Sequence, residues 1–259
     1  MRIALGQLES GTDIKANLAA IDRFAAAAAL DGATLVVFPE YATYEKKKVD
    51  ATFPLIAEPL QGPICQELAR TARRHRIALV AGVVESSEEL GKAYNTLAAF
   101  GPDGSHLASY RKIHLFDAQG FEESTFIKPG PSTIPVVFEQ DGTRFGLMTC
   151  YDLRFPELAR SLADAGAQVL LVCSSWVPGA HKTEQWLALN TARAIENSVY
   201  VAGVCQAPPV SVGRSILVDP MGVTETDLGL APGVTAVDIS LETVAQVREL
   251  FPIFRQRRL

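Results

Sequence analysis

Apolar residues along the chain come in short unbroken runs that alternate with longer stretches repeating every three to four positions. Runs bounded by turn residues predict strands, and the longer repeat predicts amphipathic helices. Residues 2–8 and 34–38 read as strands; between them Ile14, Leu18, Ile21, Ala25 and Ala28 fall on one helical face. After Gly62-Pro63, residues 64–74 read as a second helix, followed by an apolar strand over 77–84. Strands are predicted again at 94–100 and 107–111, and a loop-rich stretch covers 117–135. The pattern then reads strand 143–149, helix 155–165, strand 168–173, helix 181–197 and strand 199–205. Segments 214–219, 223–226 and 234–239 complete the sheets, and 241–250 is a last helix.

The run Val169-Leu170-Leu171-Val172-Cys173 has no period-two alternation, which predicts a strand buried on both faces. Alternating strands and helices define an α/β fold but allow several layered arrangements. No linker-like shift or repeat divides the chain, and only the alanine run at 25–29 is of low complexity, so one domain over 1–259 is expected.

Composition narrows the function. A net charge of −5, from 24 basic and 29 acidic residues, gives no reason to expect nucleic acid as a partner. With 48% apolar residues the chain can build a sizeable core, yet no stretch approaches the roughly 20 apolar residues a bilayer crossing needs. Gln7 and Glu9 interrupt the N-terminus too early for a secretory signal. Cys65, Cys150, Cys173 and Cys205 are scattered without CxxC spacing, which argues against a disulfide framework or a zinc site and fits a cytoplasmic location. No motif calls for a metal, nucleotide or flavin, so no cofactor is expected.

Candidate chemistry concentrates around Cys150, in the run Gly146-Leu147-Met148-Thr149-Cys150-Tyr151-Asp152-Leu153-Arg154-Phe155-Pro156-Glu157. An apolar run reaches the cysteine, and Pro156 is suited to open a helix because its missing N–H costs nothing in a first turn. The thiol is thus predicted at a tight strand-to-helix turn, near N–H groups that favour negative charge. A small buried hydrophobe is the competing reading of a free cysteine. Two other segments bear on it: Leu35-Val36-Val37-Phe38-Pro39-Glu40, and Ser109-Tyr110-Arg111-Lys112-Ile113-His114-Leu115-Phe116. Taken singly, Glu40 and Lys112 read as solvated charges, since charges are seldom buried unpaired.

Taken together, FPE, YRKIHLFD and CYDLRFPE resemble, in order and context, the catalytic Glu-Lys-Cys set of the nitrilase superfamily, the carbon-nitrogen hydrolases. The likeness runs from the opening strand Arg2–Gln7 to the tail Arg255-Gln256-Arg257-Arg258. It implies a four-layer αββα sandwich, commonly paired as a homodimer, and the arginine-rich tail then reads either as solvated or as packed on a partner subunit. It also implies roles: Cys150 as nucleophile, Glu40 as base, and Lys112 stabilising the thiolate and the oxyanion. The N–H of Tyr151 would be a second oxyanion donor. Loss of ammonia would leave a thioester that water then hydrolyses. Many members carry a second glutamate between the lysine and the cysteine; Phe121-Glu122-Glu123-Ser124 is similar to that segment, and the small hydroxyl after it selects Glu123 over Glu122.

Other positions keep two readings. Trp176 lines the acyl pocket or is a core aromatic, and Tyr41 faces the same cleft or packs away from it. Asp152 and Arg154 are expected to pair and fix the turn after Cys150, and Arg193 and Glu196, three apart on a helix, to form an ion pair. His114 and His181 read as structural or surface residues. The YRKIHLFD and CYDLRFPE runs look most like the branch containing ω-amidase and deaminated-glutathione amidase, which implies a small-molecule amide carrying a carboxylate. Arg154 and Arg193 are the candidate carboxylate partners. Competing functions are an N-carbamoyl amide hydrolase with the same triad, a true nitrilase, a Cys-His hydrolase, and a non-catalytic binding protein of the same fold.

Overall fold

The computed structural model of the protein describes residues 1–258; Leu259, the end of the C-terminal tail, lies outside the described residues. In chain order the elements are β1 (Arg2–Gln7), α1 (Ile14–Leu30), β2 (Leu35–Val37), α2 (Thr52–Ile56), α3 (Pro63–His75), β3 (Ala78–Ser86), β4 (Ala93–Phe100) and β5 (His106–Arg111). They continue with β6 (Val137–Gln140), β7 (Thr143–Thr149), α4 (Pro156–Asp164), β8 (Val169–Ser174), α5 (Lys182–Asn197), β9 (Tyr200–Cys205), β10 (Ile216–Val218), β11 (Thr224–Asp227), β12 (Gly233–Asp238), α6 (Leu241–Leu250) and α7 (Ile253–Gln256). Every element expected from the hydrophobic pattern is present, with ends within two residues of those predicted. Not expected were α2, the edge strand β6, the short helix α7 beyond the helix expected to be last, and 3₁₀ turns at Glu123–Thr125 and Cys150–Arg154.

Helix starts follow local chemistry. The Asp13 side chain accepts from the N–H groups of Lys15 and Ala16 and caps α1, while Pro63 and Pro156 open α3 and α4. The strands form two mixed six-stranded sheets, ordered β12-β1-β2-β3-β4-β5 and β11-β10-β9-β8-β7-β6. In the first sheet β1, β2 and β3 are parallel; in the second β7, β8 and β9 are parallel, and antiparallel strands extend both.

Alternation along the first sheet sets the layers. Ile3, Leu5, Leu35, Val37, Ala78 and Val80 belong to the core shared with the second sheet, while Ala4, Val36, Leu79 and Ala81 face the core under α1 and α3. In β8 every residue is buried, as its continuous apolar run predicts. Helices outside, sheets stacked within: the fold is an αββα sandwich. The tail does not lie free, because Phe254 sits between the guanidinium groups of Arg160 and Arg248 and Arg257 pairs with Asp164 at 2.8 Å.

Candidate active site

The sheets bring their strand ends to one place. Glu40 follows the end of β2, Lys112 follows β5, Cys150 follows β7, and Ser175 follows β8. All four, with Glu123, line a cleft of about 380 Å³.

Cys150 is held in a left-handed turn, with φ of +46°. Asp152 fixes that turn: it is fully buried and accepts from the Thr149 N–H at 3.0 Å, the Tyr110 hydroxyl at 2.7 Å, and the N–H and Nδ1 of His114 at 3.2 and 2.7 Å. The expected Asp152–Arg154 pair does not form. Arg154 turns away to Gln185 at 2.6 Å and lies over the Trp176 indole, because Asp152 is already enclosed by four donors. The α-helix begins only at Pro156, with a 3₁₀ turn between it and the thiol. The Cys150 Sγ points at the Ser175 carbonyl at 3.7 Å, and Tyr151 leaves its N–H without a partner among the described residues.

Lys112 is buried and sits between two carboxylates, 3.0 Å from Glu40 Oε1 and 2.8 Å from Glu123 Oε2. Asn95 Nδ2 ties the same acids together, at 2.6 Å to Glu40 and 3.1 Å to Glu123. Glu123 also accepts from the Phe116 N–H at 2.6 Å and the Tyr41 hydroxyl at 3.1 Å, so both its oxygens are occupied. Glu122 is exposed on the cleft's rim. The free oxygen of Glu40 accepts from the Ser175 N–H at 2.6 Å, and its carbonyl from Gln206 at 3.1 Å.

Electrostatics follow from this packing. Burial pushes the Cys150 thiol well above its ordinary value; Glu40 and Glu123 add to that, and Lys112 opposes it. Burial pulls Lys112 down, but Glu123 and Glu40 outweigh it and hold the ammonium well above the ordinary lysine value. The resting pair is thus a thiol and an ammonium, and the thiol needs a base to become a nucleophile.

Other expected site residues take different places. Tyr41 lines the cleft, but its hydroxyl is committed to Glu123 and its ring packs edge-on against Phe53. The Tyr151 ring packs against Phe116 and Phe155. Trp176 is buried against Trp186 with its Nε1 donating to the Lys182 carbonyl, and the cleft wall there is made by Ser175 and Val177 instead. Arg193 pairs with Glu196 at 2.9 Å as expected and also clamps the Leu153 carbonyl, so it is not free for a substrate carboxylate. His114 stacks on Phe155 and His181 is exposed; no histidine lines the cleft among the described residues, which leaves a Cys-His hydrolase without its base.

Two ionisable residues near the site were not anticipated. Glu45 lines the cleft 3% exposed, with Oε2 unpartnered, and Lys182 is buried over Trp176 and Phe116. Both lie in polar segments, Tyr44–Lys48 and His181–Glu184, whose composition reads as surface.

Residues 2–249 match the family model described as carbon-nitrogen hydrolase. The chain is 39% identical over 273 residues to a Mycobacterium tuberculosis protein described as a hydrolase, covering 99% of this chain and 95% of that one. It is 36% identical over 271 residues to omega-amidase NIT2 of Homo sapiens, again covering 99% of this chain and 95% of the relative. Among solved structures, a mutant amidase from Nesterenkonia sp. AN1 in complex with acrylamide superposes with a TM-score of 0.86 at 29% identity, covering 100% of this chain and 94% of that one. Nit3 of Saccharomyces cerevisiae, a member of branch 10 of the nitrilase superfamily, gives 0.88 at 28% identity over 100% and 97% of the two chains.

Proposed function

The chain belongs to the carbon-nitrogen hydrolase family, and on that premise we propose that it is an amidase that releases ammonia from a small carboxamide through a thioester on Cys150. The observation that carries this reading is the meeting of Cys150, Lys112, Glu40 and Glu123 in one cleft, with the ammonium held between the two acids. Glu40 takes the thiol proton as sulfur bonds to the amide carbon. Lys112 and the unpartnered Tyr151 N–H stabilise the oxyanion, a donor of that kind being worth about 3 kcal/mol. Collapse breaks the C–N bond as Glu40 protonates the leaving nitrogen, and ammonia departs. Water then attacks the thioester, giving a proton to Glu40; the C–S bond breaks and the sulfur recovers its proton. Glu123 holds Lys112 in register throughout.

Support for a substrate class comes from the rim. Lys46, Lys47 and Lys48 line the cleft mouth; Lys46 is paired with Asp50 and Lys48 with the Gly120 carbonyl, while Lys47 has no ion pair among the described residues. Even with Glu122 on the same rim, Lys47 and Lys48 leave it net positive, which favours an amide carrying a carboxylate at its far end and accords with a relative named as an omega-amidase. Ammonia release from a panel of ω-amides of oxo acids, deaminated glutathione, aliphatic amides and N-carbamoyl amino acids tests the reading. Turnover of carboxylate-bearing amides by wild type and none by Cys150→Ala is expected. Turnover of N-carbamoyl compounds alone, or undiminished turnover by Cys150→Ala, would contradict it.

We further propose a single catalytic domain that acts in the cytoplasm as a homodimer. Leu250 and Phe251 at the end of α6, 66% and 48% exposed, provide apolar surface for pairing. Among the described residues no helix is long and apolar enough to cross a membrane.

A further inference from the structure

Asn95 of β4 is fully buried and touches all three charged groups at the centre of the cleft. Its carbonyl accepts from the Lys112 N–H at 2.9 Å, and its Nδ2 donates to Glu40 Oε1 at 2.6 Å and to Glu123 Oε1 at 3.1 Å. Both hydrogens of the amide are thereby spent on the two acids. The same two oxygens each accept from Lys112 Nζ at 3.0 Å, so Nδ2 and Nζ together bridge a pair of adjacent carboxylates. Asn95 Oδ1 is buried with no partner among the described residues, and an orphaned acceptor at that depth costs stability. Turning the amide over would set Oδ1 against both carboxylate oxygens, so the acids fix which way it faces. The residue gives up a hydrogen bond of its own to serve them.

The two acids depend on this amide unequally. Glu123 also accepts from Lys112, from the Tyr41 hydroxyl and from the Phe116 N–H, so it is held without Asn95. Among the described residues the Glu40 carboxylate has only Lys112 and the Ser175 N–H besides. The titratable and charged groups facing Glu40 are Lys112, Glu123, Glu45, Tyr41 and the thiols of Cys150, Cys173 and Cys205, and Lys112 is the one cation among them. Where Glu40 and Glu123 meet, a single ammonium opposes two like charges, and their repulsion drives away the less firmly held acid. We infer that Asn95 is a positioning residue: it pins Glu40 Oε1 beside Glu123 and so keeps the base where it can take the Cys150 proton. Without the amide Glu40 turns away, and the thiol loses its base.

This role rests on Glu40 acting as the base for Cys150 in the reaction proposed above, but its test reads the thiol and needs no amide to turn over. The rate of Cys150 alkylation by iodoacetamide, followed by peptide mass, is measured across pH for wild type, Asn95→Leu, Asn95→Ser and Asn95→Asp, with a thermal melt of each. Leucine keeps the side-chain volume without the donor, and serine is too short to bridge the acids. Both variants should react about tenfold more slowly than wild type at neutral pH and converge on it at alkaline pH, where the thiol ionises without a base. Asn95→Asp keeps the shape but sets a third acid against the pair, and should be slower still. The melting temperature of Asn95→Leu should stay near that of wild type, because the orphaned Oδ1 leaves with the amide. In ammonia release the same variants should lose kcat in step with alkylation, with KM within about twofold. A folded Asn95→Leu protein alkylated at the wild-type rate at neutral pH would overturn the inference. So would a slowing that is the same at every pH, which marks a distorted thiol and not a displaced base. Normal alkylation with a raised KM would make Asn95 a substrate contact, and failure of both Asn95→Leu and Asn95→Ser to fold would make it structural; either result also overturns the inference. Alkylation that depends on Asn95, with no ammonia released from any amide, would uphold the positioning role and remove the amidase reading instead.

Discussion

Gly82 in β3 lies directly under the backbone of Glu40, so a single added methyl group there bears on the proposed base. A Cβ at this position would come within 2.4 Å of the Tyr41 backbone N and 2.7 Å of the Glu40 Cα, where ordinary contact begins near 3.4 Å, so Gly82→Ala forces a shift of about 1 Å. The opposing atoms are backbone, not the end of a flexible side chain, and they are pinned: the Gly82 N–H donates to the Pro39 carbonyl at 3.0 Å and Gln206 holds the Glu40 carbonyl at 3.1 Å. The shift therefore passes to the carboxylate and breaks its fit to Lys112 and the Ser175 N–H. Misplacing a catalytic group by about 1 Å costs on the order of 100-fold, so a fall in kcat of about 30- to 100-fold is expected. Overpacking should also cost about 1–3 kcal/mol of stability. Ammonia release at saturating amide gives kcat, and a urea melt gives the second figure. A folded Gly82→Ala protein with kcat within about twofold of wild type would refute the positioning argument.

Asp152→Asn puts an amide among four donors that converge on a buried carboxylate, and should cost about 3 kcal/mol in a urea melt as well as most of the activity; an unmoved midpoint would count against its role in holding the Cys150 turn. Burial, with Glu40 adding to it, holds the Glu45 carboxyl well above its ordinary 4.5, so the native state keeps a proton that the unfolded chain releases above that value. Stability then falls as pH rises through that window, by at most about 1.4 kcal/mol per pH unit. Glu45→Gln removes the slope, so its gain in melting temperature over wild type should be larger at pH 8 than at pH 5; an equal gain at both would contradict this. Sedimentation should show a dimer for wild type and a shift to monomer for Phe251→Glu; a monomeric wild type would end the pairing proposal.

What could be read from the sequence was local. The apolar runs of β1, β2, β7 and β8 are continuous and flanked by turn residues, so their hydrophobic pattern alone located them. The three motifs around Glu40, Lys112 and Cys150 carried the site because each closes a strand, and those ends of β2, β5 and β7 converge between the two stacked mixed sheets. What escaped was set at long range. Asp152 was expected to pair with Arg154 two residues away; its partners Tyr110 and His114 come from β5 and the loop after it, 42 and 38 residues distant. Glu45 and Lys182 sit in polar segments and are buried only by tertiary packing, Glu45 at the cleft and Lys182 over Trp176 and Phe116. β6 is a four-residue edge strand with one buried position, too short for a period to show. α2 holds five residues around Pro54, against helix propensity.

A covalent adduct on Cys150 is the most direct evidence to seek. Mixing the enzyme with a carboxylate-bearing ω-amide, quenching in acid within the first turnover and weighing the intact chain should show a species heavier by the acyl group. Digestion should place that mass on the peptide containing Cys150, and it should disappear in Cys150→Ala. Steady release of ammonia with no such adduct, or an adduct on Cys65, Cys173 or Cys205, would contradict the mechanism proposed here.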